Sequence, residues 1–262
     1  LSLTIEDIKK FFGDTEEKIE PEVEILFELR SVLKDRSKEF ENRIIPKETE
    51  DIIKQEFLQK KIREKVEACK NCSLVFADCH TNKVPGEGCL LTPLMLIGEA
   101  PGFDEDRLGR PFVGKAGQLL TRVLNKSKID RKRVYITNII KCRPPNNRNP
   151  FPKEISACKD IIEMEIELIK PKVIIALGAT ALKFFKEGGS ITRDRGKWLL
   201  YKDKIPVMPT FHPAYLLRQQ GKHLVRTKWE VWEDFQAAIQ RCKELEPNYP
   251  FFINENDIQC DA

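Results

Sequence analysis

The stretch LMLIGEAPG, residues 94–102, runs from five residues of strand-like texture into a polar turn flanked by two glycines. A short apolar run bounded by turn residues reads as a strand buried on both faces. Three other runs share this texture: VYITNII (134–140), VIIALG (173–178) and IPVMPTF (205–211). Helical patterns lie between and after them, at 115–127, 153–170, 179–187 and 226–244. Strands that alternate with helices predict a three-layer α/β/α fold around a central, mainly parallel four-stranded sheet. Ligands of such sheets sit at the carboxyl ends of the strands. Each run here ends on a residue with chemical use: Glu99, Asn138, Gly178 and His212.

The 262 residues are 41% hydrophobic and 33% charged, enough for one sizeable core with a smaller appendage. No stretch approaches the roughly 18 apolar residues of a membrane span. The opening LSLTIEDIKKFF lacks the apolar core of a signal peptide. The expectation is a cytoplasmic protein without a membrane role. In that compartment eight cysteines favour ligation over disulfides. Charge is uneven. Residues 1–65 hold 14 basic and 17 acidic residues, and the remainder 31 basic and 24 acidic, a modest excess suited to phosphate partners.

Residues 1–65 contain one glycine, Gly13, and two prolines, Pro21 and Pro46. Helices at 21–43 and 47–68 are predicted, each with its proline in the tolerated first turn. Leu26, Leu29, Leu33 and Phe40 share one face of the first; Ile53, Phe57 and Ile62 roughly share one face of the second. A helical extension packed on the main domain is expected, with a partner-binding arm as the sharper alternative. The layout is then an extension at 1–65, a main domain at 66–246 and an irregular tail at 247–262, in a monomer.

Cys69 and Cys72 form a C-x2-C at the head of the main domain, and Cys142 and Cys158 follow some seventy residues later. Four thiolates from these pairs make a metal or iron–sulfur site. Cys69, Cys72, Cys79 and Cys89 also lie close enough in sequence to close a zinc site. Spacing alone leaves both groupings open.

Four segments together resemble the family-four, iron–sulfur uracil-DNA glycosylases: GEAPGFDEDRLGRPFVGKAGQLL (98–120), TNIIKCRPPNNRNPFPKEISAC (137–158), VIIALGATAL (173–182) and TFHPAYLLR (210–218). The resemblance spans about Cys69 to residue 240 and leaves residues 1–65 unexplained. It implies a monofunctional DNA repair enzyme of base excision, a hydrolase that flips uracil out of DNA and leaves an abasic site. It also implies a structural 4Fe–4S cluster on Cys69, Cys72, Cys142 and Cys158, with Cys79, Cys89, Cys242 and Cys260 incidental. Such a cluster would staple the loop after the second strand and present Lys141, Arg143 and Arg148 to a DNA backbone.

Excision needs a stacking surface, a reader for the base edge, a donor for the departing anion and a water near the sugar carbon. The resemblance gives stacking to Phe112 and the O2 contact to His212. Asn138, at a strand end, can donate to uracil O4 and accept from N3–H, a pattern that cytosine inverts. Gly98 and Ala100 offer the backbone of the GEAPG turn to the substrate. Ala100 stands where better-known uracil glycosylases carry an aspartate, so the water's helper falls to Glu99 or Glu105. Glu105 is also placed to bar the thymine methyl. In AYLLR, Tyr215, Leu216 and Leu217 are candidate wedges for the minor groove and Arg218 a phosphate contact.

Two other readings compete. A relative that traps uracil-DNA covalently carries an added histidine after the Asn motif, and no histidine lies between Asn138 and Cys158. A non-catalytic iron–sulfur or zinc DNA-binding module would not need Phe112, Asn138 and His212 together.

Overall fold

The computed structural model describes residues 28–29, 31–33, 35, 47–76 and 81–251. Its contacts group the chain into two units, residues 1–45 and 46–262. The described part of the first unit is helical. Most of the expected helix at 21–43 lies outside the described residues, as do Cys79, His80, Cys260 and the tail beyond residue 251.

In the second unit, α1 spans Lys47–Ala68, the range expected from sequence. Leu58, Ile62 and Val66, four residues apart, are its fully buried stripe, whereas Ile53 and Phe57 are half-buried. Its polar side holds the stretch around Glu87–Gly88: Gln59 donates to the Gly86 carbonyl (3.4 Å) and Gln55 accepts from the Leu90 N–H (3.3 Å). This helix therefore stands with the sheet unit.

The sheet has six strands rather than the expected four. They are β1 (Glu87–Gly88), β2 (Leu94–Gly98), β3 (Tyr135–Asn138), β4 (Val173–Leu177), β5 (Leu199–Tyr201) and β6 (Ile205–Thr210), in the order β1-β3-β2-β4-β6-β5. The four parallel strands β3-β2-β4-β6 are the four apolar runs. The two added strands are antiparallel edges of two and three residues, too short to show any periodicity in sequence.

Helices α2 (Phe103–Leu108), α3 (Lys115–Lys126), α4 (Pro152–Ile169), α5 (Ala179–Phe185), α6 (Ile191–Asp194), α7 (Pro213–Leu216) and α8 (Gly221–Leu245) complete the unit. Alternation along the strands divides the core. Leu94, Leu96, Ile136, Val173, Ile175 and Met208 meet Leu120 and Leu124 of α3 and Phe235 and Ile239 of α8. On the opposite face α4 lays Glu165 against the hydroxyls of Tyr135 and Thr137. The chain moves from β2 to β3 on one side, then returns past β2 to β4. The strand order thus reverses beside β2, where open α/β sheets open a crevice.

Candidate active site

A cavity of about 500 Å³ lies at that reversal. The ends of β2, β3, β4 and β6 contribute Glu99, Asn138, Gly178 and His212 to its wall. Ala100, Glu105, Phe112, Arg148, Tyr215 and Arg218 also line it. Gly98 does not line it but backs it. The ladder pairs Gly98 with Asn138, and a Cβ on Gly98 would meet Asn138 Oδ1 at 2.5 Å and Phe112 Cζ at 2.5 Å. Only a hydrogen at this position lets the ring and the amide converge.

Phe112 is nearly buried, with a φ of 54° that a bulky side chain rarely adopts. Three contacts hold it. Glu105 Oε1 accepts from the Val113 and Gly114 N–H groups, each at 2.8 Å. Arg131 donates to the Pro111 carbonyl (2.7 Å). Gly117 leaves room for the Phe112 carbonyl, which a Cβ there would overlap at 1.8 Å. Glu105 Oε2 accepts from the Gly102 N–H (3.1 Å) and closes the first turn of α2. Glu105 thus ties two turns of the pocket together. Asp106 is buried and accepts from the Thr81 and Asn82 N–H groups, away from the cavity.

Asn138 is 2% exposed, and its Oδ1 is the one buried side-chain atom without a hydrogen-bond partner among the described residues. A buried amide oxygen without a partner costs free energy unless something fills that role. Glu99 has one oxygen taken by the Thr180 hydroxyl, at the start of α5. Nothing in the sequence patterns marked Thr180 for this task.

His212 caps α7, and its Nδ1 accepts the Ala214 N–H at 3.1 Å. That bond leaves the proton of the neutral ring on Nε2. Burial first, and the Arg218 charge second, lower the His212 pKa to about 4. The ring lies 5.6 Å from Phe112, centroid to centroid. Gly178, with φ of 91°, lets it approach, since a Cβ there would stand 2.9 Å from His212 Cβ. Below, Thr210 at the end of β6 donates to Asp234 (2.6 Å), which Arg195 clamps at 2.6 Å. Arg195 therefore serves the strand end.

The expected DNA edge divides. Lys141 is 1% exposed and faces inward, its ammonium bonded to Glu165, Thr137 and the Asn138 carbonyl, so it cannot meet a phosphate. Arg148 lines the cavity while forking onto Glu154 (2.8 and 2.7 Å) over the Phe151 ring. Arg143 bonds Asn147 (2.7 Å) and covers Phe103. Tyr215 stacks on Phe211 at 4.8 Å. Leu216 is buried in the core and is no wedge; Leu217 is exposed, and so is Arg218. Sequence reasoning missed Asn147, Asn149, Thr192 and Phe211 on the cavity wall. They stand in loops or in helical turns of three or four residues, without a distinguishing spacing.

Cys142 and Cys158 are buried, Cys69 and Cys72 half-buried. Burial, then the neighbouring thiols of Cys158, Cys72 and Cys69, push Cys142 up to about 12. Burial also raises Cys158 to about 11, with Cys72 and Cys69 adding to it. The two pairs thus feel one another, while Cys89 has Tyr249 as its neighbour and Cys242 bonds the Pro93 carbonyl. No three Cys, His, Asp or Glu side chains among the described residues converge on a single ion.

An open, mainly parallel sheet that gathers an amide, an imidazole and an aromatic ring around a cleft at its strand reversal defines an α/β protein with its candidate site at the switch point. The chain belongs to the uracil DNA glycosylase superfamily, whose family model matches residues 85–236, and to its type-4 group. It is 48% identical to the type-4 uracil-DNA glycosylase of Thermotoga maritima over 188 residues, 71% of this chain and 97% of that one. It is 46% identical to that of Sulfurisphaera tokodaii over 166 residues, 60% of this chain and 74% of that one. With that of Archaeoglobus fulgidus it shares 39% over 196 residues, 71% of this chain and 94% of that one. No helix among the described residues is long and apolar enough to cross a membrane.

Proposed function

We propose that this chain excises uracil from DNA by hydrolysing the bond between base and sugar, leaving an abasic site for repair. One observation carries the assignment of roles. A neutral imidazole with its proton fixed on Nε2 shares a cavity with a buried amide oxygen that lacks a partner.

A flipped nucleotide enters the cavity, and the Phe112 face stacks on the base. Asn138 accepts from N3–H through Oδ1 and donates to O4 through its amide nitrogen. Cytosine, with an amine at C4 and a bare N3, would leave both amide atoms opposed to like groups. As the bond breaks, negative charge gathers on the base, and His212 Nε2–H donates to O2. A donor fixed before the charge appears needs no reorganisation in the transition state. Glu99, anchored by Thr180, supplies a carboxylate to favour the cationic sugar and orient water. Glu105 keeps the Phe112 turn in place. Arg148 and Arg218 line the cavity and the exposed Leu217 precedes Arg218 in the chain, where backbone and displaced stack would lie.

The four cysteines Cys69, Cys72, Cys142 and Cys158 fit a 4Fe–4S cluster. Burial disfavours uncompensated thiolates at Cys142 and Cys158, and the iron of a bound cluster would neutralise them. When bound, the cluster supplies a covalent staple between the end of α1 and the loop that follows β3. Every chemical step above belongs to protein side chains.

The test is incubation of purified, iron-loaded protein with a single-uracil oligonucleotide, followed by alkaline cleavage of abasic sites. A cut at uracil and none at cytosine is expected. A protein that carries the cluster yet yields no cut would refute the assignment.

A further inference from the structure

The buried charge pair behind the cavity has no part in the steps above. Glu165 of α4 is fully buried and Lys141 nearly so, and their charged atoms stand 2.7 Å apart. Buried charges of this kind persist when every donor and acceptor is satisfied. Here Glu165 Oε1 accepts from Tyr135 (3.2 Å) and the Gly86 N–H (3.4 Å), and Oε2 from Thr137 (3.0 Å) and Lys141. The ammonium has three donors and uses them on Glu165, on Thr137 Oγ1 (2.6 Å) and on the Asn138 carbonyl (2.8 Å).

The last of these bonds ends at the residue that reads the base. Thr137 and Asn138 are consecutive, with side chains on opposite faces of the sheet. Lys141 grips the Thr137 side chain on one face and the Asn138 main chain at the strand end. The following N–H groups, Ile139 and Ile140, bond the carbonyls of Gly98 and Glu99 (2.9 and 3.1 Å). The plane of the Asn138 peptide is thereby fixed, and with it the direction of its Cα–Cβ bond. Asn138 Oδ1 has no side-chain or backbone partner to orient it. No hydrogen bond to Oδ1 competes with the main chain in setting its aim.

We infer that Lys141, neutralised by Glu165, is a positioning residue that sets the uracil-reading amide of Asn138 through its carbonyl. This inference rests on the base-reading role given to Asn138 above. It also accounts for a lysine inside a basic loop that turns away from the DNA.

A double-mutant cycle tests it. The variant Lys141→Met/Glu165→Gln removes both charges and leaves Thr137 and Tyr135 a polar partner. Single-turnover excision is measured for it in the Asn138 protein and in Asn138→Ala. A misplaced reader costs on the order of 100-fold in rate. That loss is expected with Asn138 present, and a further loss of no more than about 3-fold in Asn138→Ala. Equal losses in both backgrounds, or no loss in the first, would overturn the inference. If the paired variant does not fold, Thr137→Val goes through the same cycle, with a smaller loss confined to the Asn138 background expected and equal losses overturning it. If Asn138→Ala alone keeps the normal rate, the base-reading assignment itself falls, which distinguishes the two failures.

Discussion

Gly98 and Asn138 are ladder partners across β2 and β3, and the missing Cβ of Gly98 would lie 2.5 Å from Asn138 Oδ1. Gly98→Ala therefore pushes against the amide and the Phe112 ring together, and both are boxed in. Excision is expected to fall by on the order of 100-fold, with the melting temperature little changed. Single-turnover rates on a uracil oligonucleotide check this.

His212 is held neutral by burial, and its Nδ1 is already an acceptor. Protonation must take Nδ1 and break the bond from Ala214. The donor form at Nε2 should persist from neutral pH down to about 4. A pH–rate profile is expected to show no acid limb at the ordinary histidine value, near 6.5. Ring ¹⁵N shifts should show His212 titrating near 4. The linkage has a definite sign. Between those two values the unfolded chain takes up a proton that the folded chain refuses, so this residue's share of stability falls as pH drops through that window.

Glu105 accepts three backbone N–H groups. Glu105→Ala leaves them unpaired around the strained Phe112 turn. A loss of about 2–3 kcal/mol in denaturant unfolding is expected, together with a slower rate, because the stacking ring loses its hold. Glu105→Gln keeps one acceptor oxygen and should recover part of both.

Leu216 and Leu217 are neighbours with opposite fates. Leu216→Ala opens the core and should cost about 2–5 kcal/mol. Leu217→Ala should leave stability unchanged and slow excision from duplex more than from single-stranded DNA, because only the duplex has a stack to fill. Thermal melts and paired rate measurements separate the two.

Cys142→Ala or Cys158→Ala should abolish the brown colour and the broad visible absorbance of an iron–sulfur protein. Cys89→Ala and Cys242→Ala should keep it, since neither thiol faces the other four. Iron content per chain is the second readout.

The parallel sheet was legible because four apolar runs carry their own boundaries, and part of the cavity wall was legible because each run ends on Glu99, Asn138, Gly178 or His212. What escaped depends on tertiary contacts. β1 and β5 exist only as partners of β3 and β6, and two or three residues carry no period. Lys141 looked like part of a basic edge because Glu165, its partner, lies 24 residues away on another layer. Leu216 and Leu217 are equally apolar, and only the direction of α7 tells which is inside. Thr180 could not be matched to Glu99 before β4 and β2 were known to be adjacent.

Gly98, Gly117 and Gly178 shape the cavity through atoms they do not have. Any substitution at these positions adds bulk, so mutation there can shrink the site but never enlarge it. A variant that accepts a larger base must therefore be sought at Phe112, Asn138 or Tyr215, where there is something to remove. Directed evolution toward new lesions should accumulate changes at those side chains and leave the three glycines untouched.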